Sequence, residues 1–148
     1  MKLETALSQV SRLFLDSAPV IYYIDTHPVY STVIDEVFNW IESTSIRIVT
    51  SPVTLTECLI LPIRQNNLAQ QNLFTDIITS PDTADFVEIT AAIARSTAEV
   101  RAKYNLKLPD ALQVAIALEA SCEALLTNDA QLKRVTELRI LVIDELER

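Results

Sequence analysis

Short apolar runs alternate with longer amphipathic stretches along the chain, and their lengths divide it into strands and helices. Arg12 to Leu15 is the first apolar run, stopped by Asp16 and Ser17, with Pro19 suited to the first turn of a helix. Helical signals follow over Val20 to Asp25. Beyond His27 and Pro28 they resume over Val29 to Ser43, where Val33, Val37, Trp40 and Ile41 recur on one face. Ile46 to Thr50 is β-branched and predicts a second strand. Ser51 then caps, and Pro52 opens, a helix that carries Thr56, Glu57 and Cys58 and is expected to stop near Pro62. A helix is predicted from about Asn66 to Ile78, a third strand over Phe86 to Ile89, and a helix over Ala91 to Tyr104 capped by Thr90. Asn105 to Leu108 reads as a loop, closed by Pro109 and Asp110 at the start of a helix over Ala111 to Ala120. That helix is apolar almost all round, the mark of a buried element. Ala124 to Leu126 is a fourth strand, a short helix with Leu132 and Val135 follows, and Ile140 to Ile143 is a fifth strand.

Strands alternating with helices predict an α/β fold of three layers, with a central parallel sheet of about five strands covered on both faces. Ligands of such open sheets sit outside the carboxyl ends of the strands, where the chain order reverses. Asp16 and Asp129 follow two strands, while Glu57 and Asp110 sit early in helices that leave such ends. The pattern therefore directs four carboxylates toward one crevice. Converging carboxylates repel one another unless a proton or a cation offsets the charge, and hard divalent ions such as Mg2+ take oxygen ligands of this kind.

Composition limits what else the chain can be. Its 148 residues, 49% of them hydrophobic, suit one domain over 1–148 that buries roughly 70% of its unfolded surface. Twelve basic residues against twenty acidic ones leave a net charge of −8, which argues against broad adhesion to nucleic acid or anionic membrane and leaves room only for a local basic patch. There is no glycine at all. Dinucleotide-binding and Walker loops and the Gly-x-Ser-x-Gly elbow require it, so those classes are excluded. Cys58 and Cys122 are far apart in sequence and form no zinc pattern, which fits a reduced chain. The first residues carry no apolar stretch of signal-peptide type, no run approaches a membrane span, and a cytoplasmic protein is expected.

Leu-Phe-Leu-Asp-Ser at 13 to 17, Thr56-Glu57, Leu-Pro-Asp-Ala-Leu-Gln at 108 to 113 and Leu-Thr-Asn-Asp at 126 to 129 together resemble the PIN domain family, in the family's order and over nearly the whole chain. The likeness is to its VapC-type members, small ribonuclease toxins of toxin and antitoxin pairs. It implies a parallel five-stranded sheet and an Mg2+- or Mn2+-dependent endoribonuclease. Asp16, Glu57, Asp110 and Asp129 match the acidic catalytic and metal-binding positions. Ser17, Thr127 and Asn128 match polar positions that orient the acids or the substrate. Expected partners are RNA, a cognate antitoxin and a second copy in a homodimer, with no membrane. Some members carry another acid one helical turn after the last motif, where this chain has Lys133. The residues before Arg12 exceed the usual start and predict a helical extension or a partner contact.

Each acid also has an ordinary explanation. Asp110 and Glu57 suit the positive end of a helix, and Asp129 suits a cap. His27, before a proline, fits a surface turn better than a catalytic base. Tyr22 and Tyr23 fit packing, with base stacking as the functional alternative, and Cys58 fits a small buried hydrophobe. Lys103 and Lys107, with Arg95 and Arg101, lie on the approach to Asp110 and are candidates for phosphate contact. A PIN-fold module that binds RNA without cleaving it is the alternative to a nuclease. A phosphoacceptor domain also clusters acids on a parallel sheet, but it lacks support here from an acidic pair near the first strand or a late Lys-Pro.

Overall fold

The computed structural model describes residues Met1–Arg148. Its strands are β1 (Arg12–Leu15), β2 (Arg47–Thr50), β3 (Ala84–Phe86), β4 (Ala124–Thr127) and β5 (Arg139–Val142). They form one parallel sheet in the order β3-β2-β1-β4-β5. Side chains alternate faces along a strand, so a strand buried on both sides must be apolar throughout. Leu13 and Leu15 of β1 accordingly enter one core and Phe14 the other. Ala124 and Leu126 are divided from Leu125 on β4 in the same way.

Seven helices cover the sheet: α1 (Leu3–Ala6), α2 (Ser17–Asp25), α3 (Ser31–Ser43), α4 (Pro52–Arg64), α5 (Leu68–Thr79), α6 (Ala91–Tyr104) and α7 (Leu108–Glu119). The first four and α5 supply one core, with Ala6, Val20, Ile34, Cys58 and Phe74 at its centre. The other is built by α6, α7 and the short 3-10 helix Ala130–Arg134, through Ile93, Val114, Ile116 and Leu132. No helix is long and apolar enough to cross a membrane.

Three boundaries depart from the sequence reading. Helix α4 continues through Pro62 to Arg64, because Pro62 extends the buried stripe of Thr54 and Cys58 at every fourth residue. Only one hydrogen bond of the last turn is lost, and the Pro62 carbonyl still accepts from Asn67 N at 2.9 Å. Strand β3 lies earlier than Phe86 to Ile89, because Asp85 is held between Arg12 and Arg47 at 2.9 and 2.8 Å and pins Ala84–Phe86 beside β2. Helix α7 begins at Leu108, so Pro109 and Asp110 fall inside its first turn.

The segment before β1 is part of the fold's own packing. Leu3, Ala6, Leu7 and Val10 are buried. Arg139 Nη1 donates to the carbonyls of Ala6 and Ser8 at 2.8 and 2.9 Å. Leu3 N donates to Glu147 O at 2.8 Å, which ties the two ends of the chain together.

The absence of glycine shapes the turns. Five residues take the left-handed conformation that glycine adopts most easily: Gln9, Thr26, Asn66, Asn105 and Ser121, with φ from 52° to 60°. Thr26 and Asn105 do so as the C-caps of α2 and α6.

Candidate active site

The order of strands reverses at β1, which has β2 on one side and β4 on the other. A crevice opens at their carboxyl ends because successive helices leave to opposite faces there. Asp16 directly follows β1, and Asp129 follows β4 after Thr127 and Asn128. Glu57 lies in the second turn of α4, whose N-terminus is fixed by Ser51 Oγ accepting from Thr54 N at 3.2 Å. Asp110 lies in the first turn of α7.

Asp16 is the centre of this arrangement and is only 8% exposed. Its Oδ1 accepts from Ser17 N at 2.9 Å and from Gln113 Nε2 at 3.2 Å, and its Oδ2 accepts from Thr127 Oγ1 at 2.8 Å. Thr127 Oγ1 also accepts from Asp129 N at 3.1 Å, so one buried hydroxyl links two of the acids. Asp129 Oδ1 accepts from Gln131 N at 2.9 Å, the capping role expected of it, and that role occupies one of its oxygens.

The acids act on one another electrostatically. Partial burial raises the Glu57 carboxyl above the usual range, the charges of Asp16 and Asp110 raise it further, and Ser17 works in the opposite direction. Glu57 is open to solvent at the mouth, so the loss of hydration is confined to its inner side. Burial likewise raises Asp110, with Asp16 and Asp129 adding to the effect and Lys107 opposing it. Acids elsewhere behave differently. Asp85, paired with Arg47 and Arg12, is held below its ordinary value. So is Glu137, which accepts from Tyr104 and Lys103. Asp85 and Glu137 have partners that hold them low, whereas the repulsion of neighbouring acids and burial outweigh Ser17 at Glu57 and Lys107 at Asp110.

As posed, no three acid, histidine or cysteine side chains stand close enough to grip an ion between them. The donor set still fits Mg2+ or Mn2+. All its ligand atoms are hard oxygens, and Mg2+ keeps much of its water and is commonly held by one or two carboxylates plus substrate phosphate, without an all-protein cage.

Of the supporting polar residues, Ser17 and Thr127 adjoin Asp16. Asn128 turns outward: Nδ2 donates to Tyr22 Oη at 3.1 Å and Oδ1 accepts from Asp144 N at 3.0 Å. Tyr22 stacks on Tyr30 with centroids 5.0 Å apart, so it clamps the loop before Asp129. Tyr23 stacks on Phe38. His27 accepts from Val29 N and Tyr30 N through Nδ1, which makes it a turn-holding residue ahead of α3. Cys58 is buried, with its thiol pushed up by burial.

The basic candidates divide sharply. Lys103 is committed to Glu137 at 2.9 Å, Arg101 donates to the Leu106 carbonyl, and Arg95 lies beside Glu99. Those partners accord with the solvated-face reading of each of these residues, the alternative to phosphate contact. The Lys107 ammonium has no ion-pair or hydrogen-bond partner, and its charge lowers the Asp110 carboxyl. Lys133, where some relatives have an acid, pairs with Glu145 at 2.7 Å. Beside Glu57 lies a shallow cleft of about 280 Å3, walled by Pro52, Val53, Ile89, Leu108 and Pro109.

Sequence reasoning missed Gln113. It is 1% exposed and bonded to Asp16, Thr54 and Ser51. The signal was available, because Gln113 is the one polar residue between Ala111 and Leu118 in a helix read as buried. A polar group there must be satisfied by something nearby.

The family model described as PIN domain matches residues 13–138. Comparison with curated proteins gives no significant match. Among solved structures, the sarcin-ricin loop cleaving toxin VapC20 of Mycobacterium tuberculosis superposes with a TM-score of 0.69 at 15% identity, covering 86% of this chain and 98% of that one. VapBC2 of Rickettsia felis, bound to a promoter DNA fragment, gives 0.66 at 19% identity over 87% and 96%. A toxin-antitoxin complex from Klebsiella pneumoniae gives 0.62 at 21% identity over 86% and 99%. At these identities the likeness is one of fold.

Proposed function

Since this chain belongs to the PIN domain family, we propose that it is an Mg2+- or Mn2+-dependent endoribonuclease, the toxin of a toxin-antitoxin pair. The observation that carries this reading is the group of acids around Asp16, in which burial and the charges of neighbouring acids raise Glu57 and Asp110, with only Lys107 opposing the effect at Asp110. Asp16, Glu57, Asp110 and Asp129 are the acids that would hold the ion, one or two of them directly and together with a substrate phosphate. When bound, such an ion lowers the pKa of a water and stabilises charge on the phosphate oxygens.

The remaining work falls to the chain's own residues. Thr127 and Gln113 fix the Asp16 carboxylate, and Ser17 supplies a backbone donor to it. Lys107, free at the rim, meets a phosphate of the strand. The apolar wall of Ile89 and Leu108 limits water beside Glu57 and offers a surface to a base. RNA as substrate is the reading that the sarcin-ricin loop cleaving toxin among the structural neighbours supports.

An antitoxin partner is supported by the VapBC and toxin-antitoxin complexes among those neighbours. The exposed Ile60, Leu61, Ile63, Leu68 and Leu73 of α4 and α5 supply apolar surface for such a protein or for a second copy in a homodimer. We place the protein in the cytoplasm, with 1–148 acting as one domain.

The test is RNA cleavage with Mg2+ or Mn2+, in parent protein and in Asp16→Asn and Asp110→Asn variants of unchanged circular dichroism. Loss of more than about a hundredfold is expected in both variants and in excess chelator. Full activity in any of these would overturn the mechanism. Lys133 in place of an acid favours a second reading, an RNA-binding module that does not cleave. RNA affinity without cleavage across both metals would select it.

A further inference from the structure

We propose that Gln113 is a positioning residue that sets which ion the crevice takes, by occupying one oxygen of Asp16 and leaving that carboxylate only one oxygen to offer. The inference rests on the metal-dependent reading above and concerns the choice among ions, which that reading leaves open.

Gln113 has its amide orientation fixed on every side. Its Oε1 accepts from Ser51 Oγ, while Ser51 Oγ itself accepts from Thr54 N at 3.2 Å. Its Nε2 donates to Thr54 Oγ1 at 2.8 Å and to Asp16 Oδ1 at 3.2 Å. Thr54 Oγ1 itself donates to the Leu15 carbonyl at 2.9 Å. Reversing the amide would set an oxygen against the Asp16 carboxylate, two acceptors facing each other in a buried place. Every buried polar side-chain atom of the protein has a partner as it stands.

The consequence lies in the lone pairs of Asp16. Oδ1 accepts two N–H groups, from Ser17 and Gln113, and both its lone pairs are used. Oδ2 accepts only from Thr127 and keeps one lone pair. Asp16 is therefore equipped to be a one-oxygen ligand. A small ion with a near-octahedral shell suits such a ligand, whereas Ca2+ takes more oxygens and commonly uses both from one carboxylate. Gln113 thus favours Mg2+ or Mn2+ over Ca2+. Because it bridges Ser51 and Thr54 at the start of α4 to α7, it also holds together the helices that carry Glu57 and Asp110.

The experiment is calorimetric titration of the full chain with Mn2+ and, separately, Ca2+, comparing parent protein with Gln113→Met, which keeps length and volume and loses both polar ends. Mn2+ affinity is expected to fall about tenfold while Ca2+ affinity does not fall, so the preference for Mn2+ drops by a similar factor. Unchanged affinities, or equal weakening of both ions, would overturn the proposal, since a loosened fold penalises both alike. If Gln113→Met does not fold, Ser51→Ala, which removes the donor that anchors Oε1 and so loosens the hold of Nε2 on Asp16, must lower the preference for Mn2+ in the same direction. If the parent protein binds neither ion, Gln113 sets no choice among ions and this inference fails, whereas the metal-dependent reading is decided separately by whether RNA cleavage is lost in excess chelator.

Discussion

Thr127 Oγ1 donates a 2.8 Å hydrogen bond to Asp16 Oδ2 across the β1–β4 pair, joining residues 111 apart in sequence. Both residues are buried, and the hydroxyl is the protein group that donates to that oxygen of the carboxylate. Thr127→Val keeps the shape and removes the donor. A loss of about 1.5–3 kcal/mol in stability is expected, as for hydrogen bonds to charged groups. Cleavage should fall about tenfold to a hundredfold, the usual effect of removing a group that orients a metal ligand. Denaturant unfolding and initial rates of RNA cleavage check the two effects, and an unchanged rate would remove Thr127 from the site.

Crowding of the acids gives the metal-free protein an unusual pH dependence. Glu57 and Asp110 are raised above their ordinary values, so the folded state holds their protons more tightly than the unfolded state does. Their contribution to stability is present below the unfolded pKa values and is lost as pH rises through the raised ones. The thermal midpoint in chelator should therefore fall from about pH 4.5 toward pH 7. Asp110→Asn should flatten that slope and stabilise the neutral protein by a few tenths to about 1 kcal/mol. Asp85 has the opposite sign, being held low by Arg47 and Arg12, and its contribution disappears only at more acid pH. A midpoint insensitive to pH over the first range would mean that the acids are not crowded.

Lys107 and Lys103 are neighbours in sequence with different fates, and salt dependence separates them. Lys107 has no partner, whereas Lys103 is paired with Glu137 at 2.9 Å. For binding of single-stranded RNA in chelator, Lys107→Ala should reduce the slope of log affinity against log salt by about 0.7, one phosphate contact. Lys103→Ala should leave the slope unchanged. Equal effects of the two substitutions would show that neither has a defined phosphate.

Left-handed caps without glycine leave room for stabilisation. Thr26 ends α2 at φ 52°, where a β-branched side chain is strained. Thr26→Gly should stabilise the protein by about 1 kcal/mol, with the entropy of the glycine-containing unfolded chain reducing the gain. Asn105→Gly, at a residue that tolerates this region, should gain less. Thermal denaturation of both variants checks the order.

The sequence by itself determined the alternation of strands and helices, the apolar strands of a doubly covered sheet, the four acids and the caps at Ser51 and Thr90. Those features are local, written in periodicity and in the residue types that start helices. Pro62 within α4 and the position of β3 were decided by tertiary structure, because burial of the Thr54–Cys58–Pro62 stripe and the Arg12–Asp85–Arg47 clamp outweigh local propensity. The same holds for the basic residues: folding sets Lys103 on Glu137, Arg95 beside Glu99 and Arg101 on the Leu106 carbonyl, and leaves the Lys107 ammonium without a hydrogen-bond partner. Gln113 gives the clearest division. Sequence marks it as a polar residue on an apolar helix, but only folding brings Asp16, Thr54 and Ser51 around it. A buried amide takes its role from the partners that satisfy it, and those partners come from elements far apart in the chain.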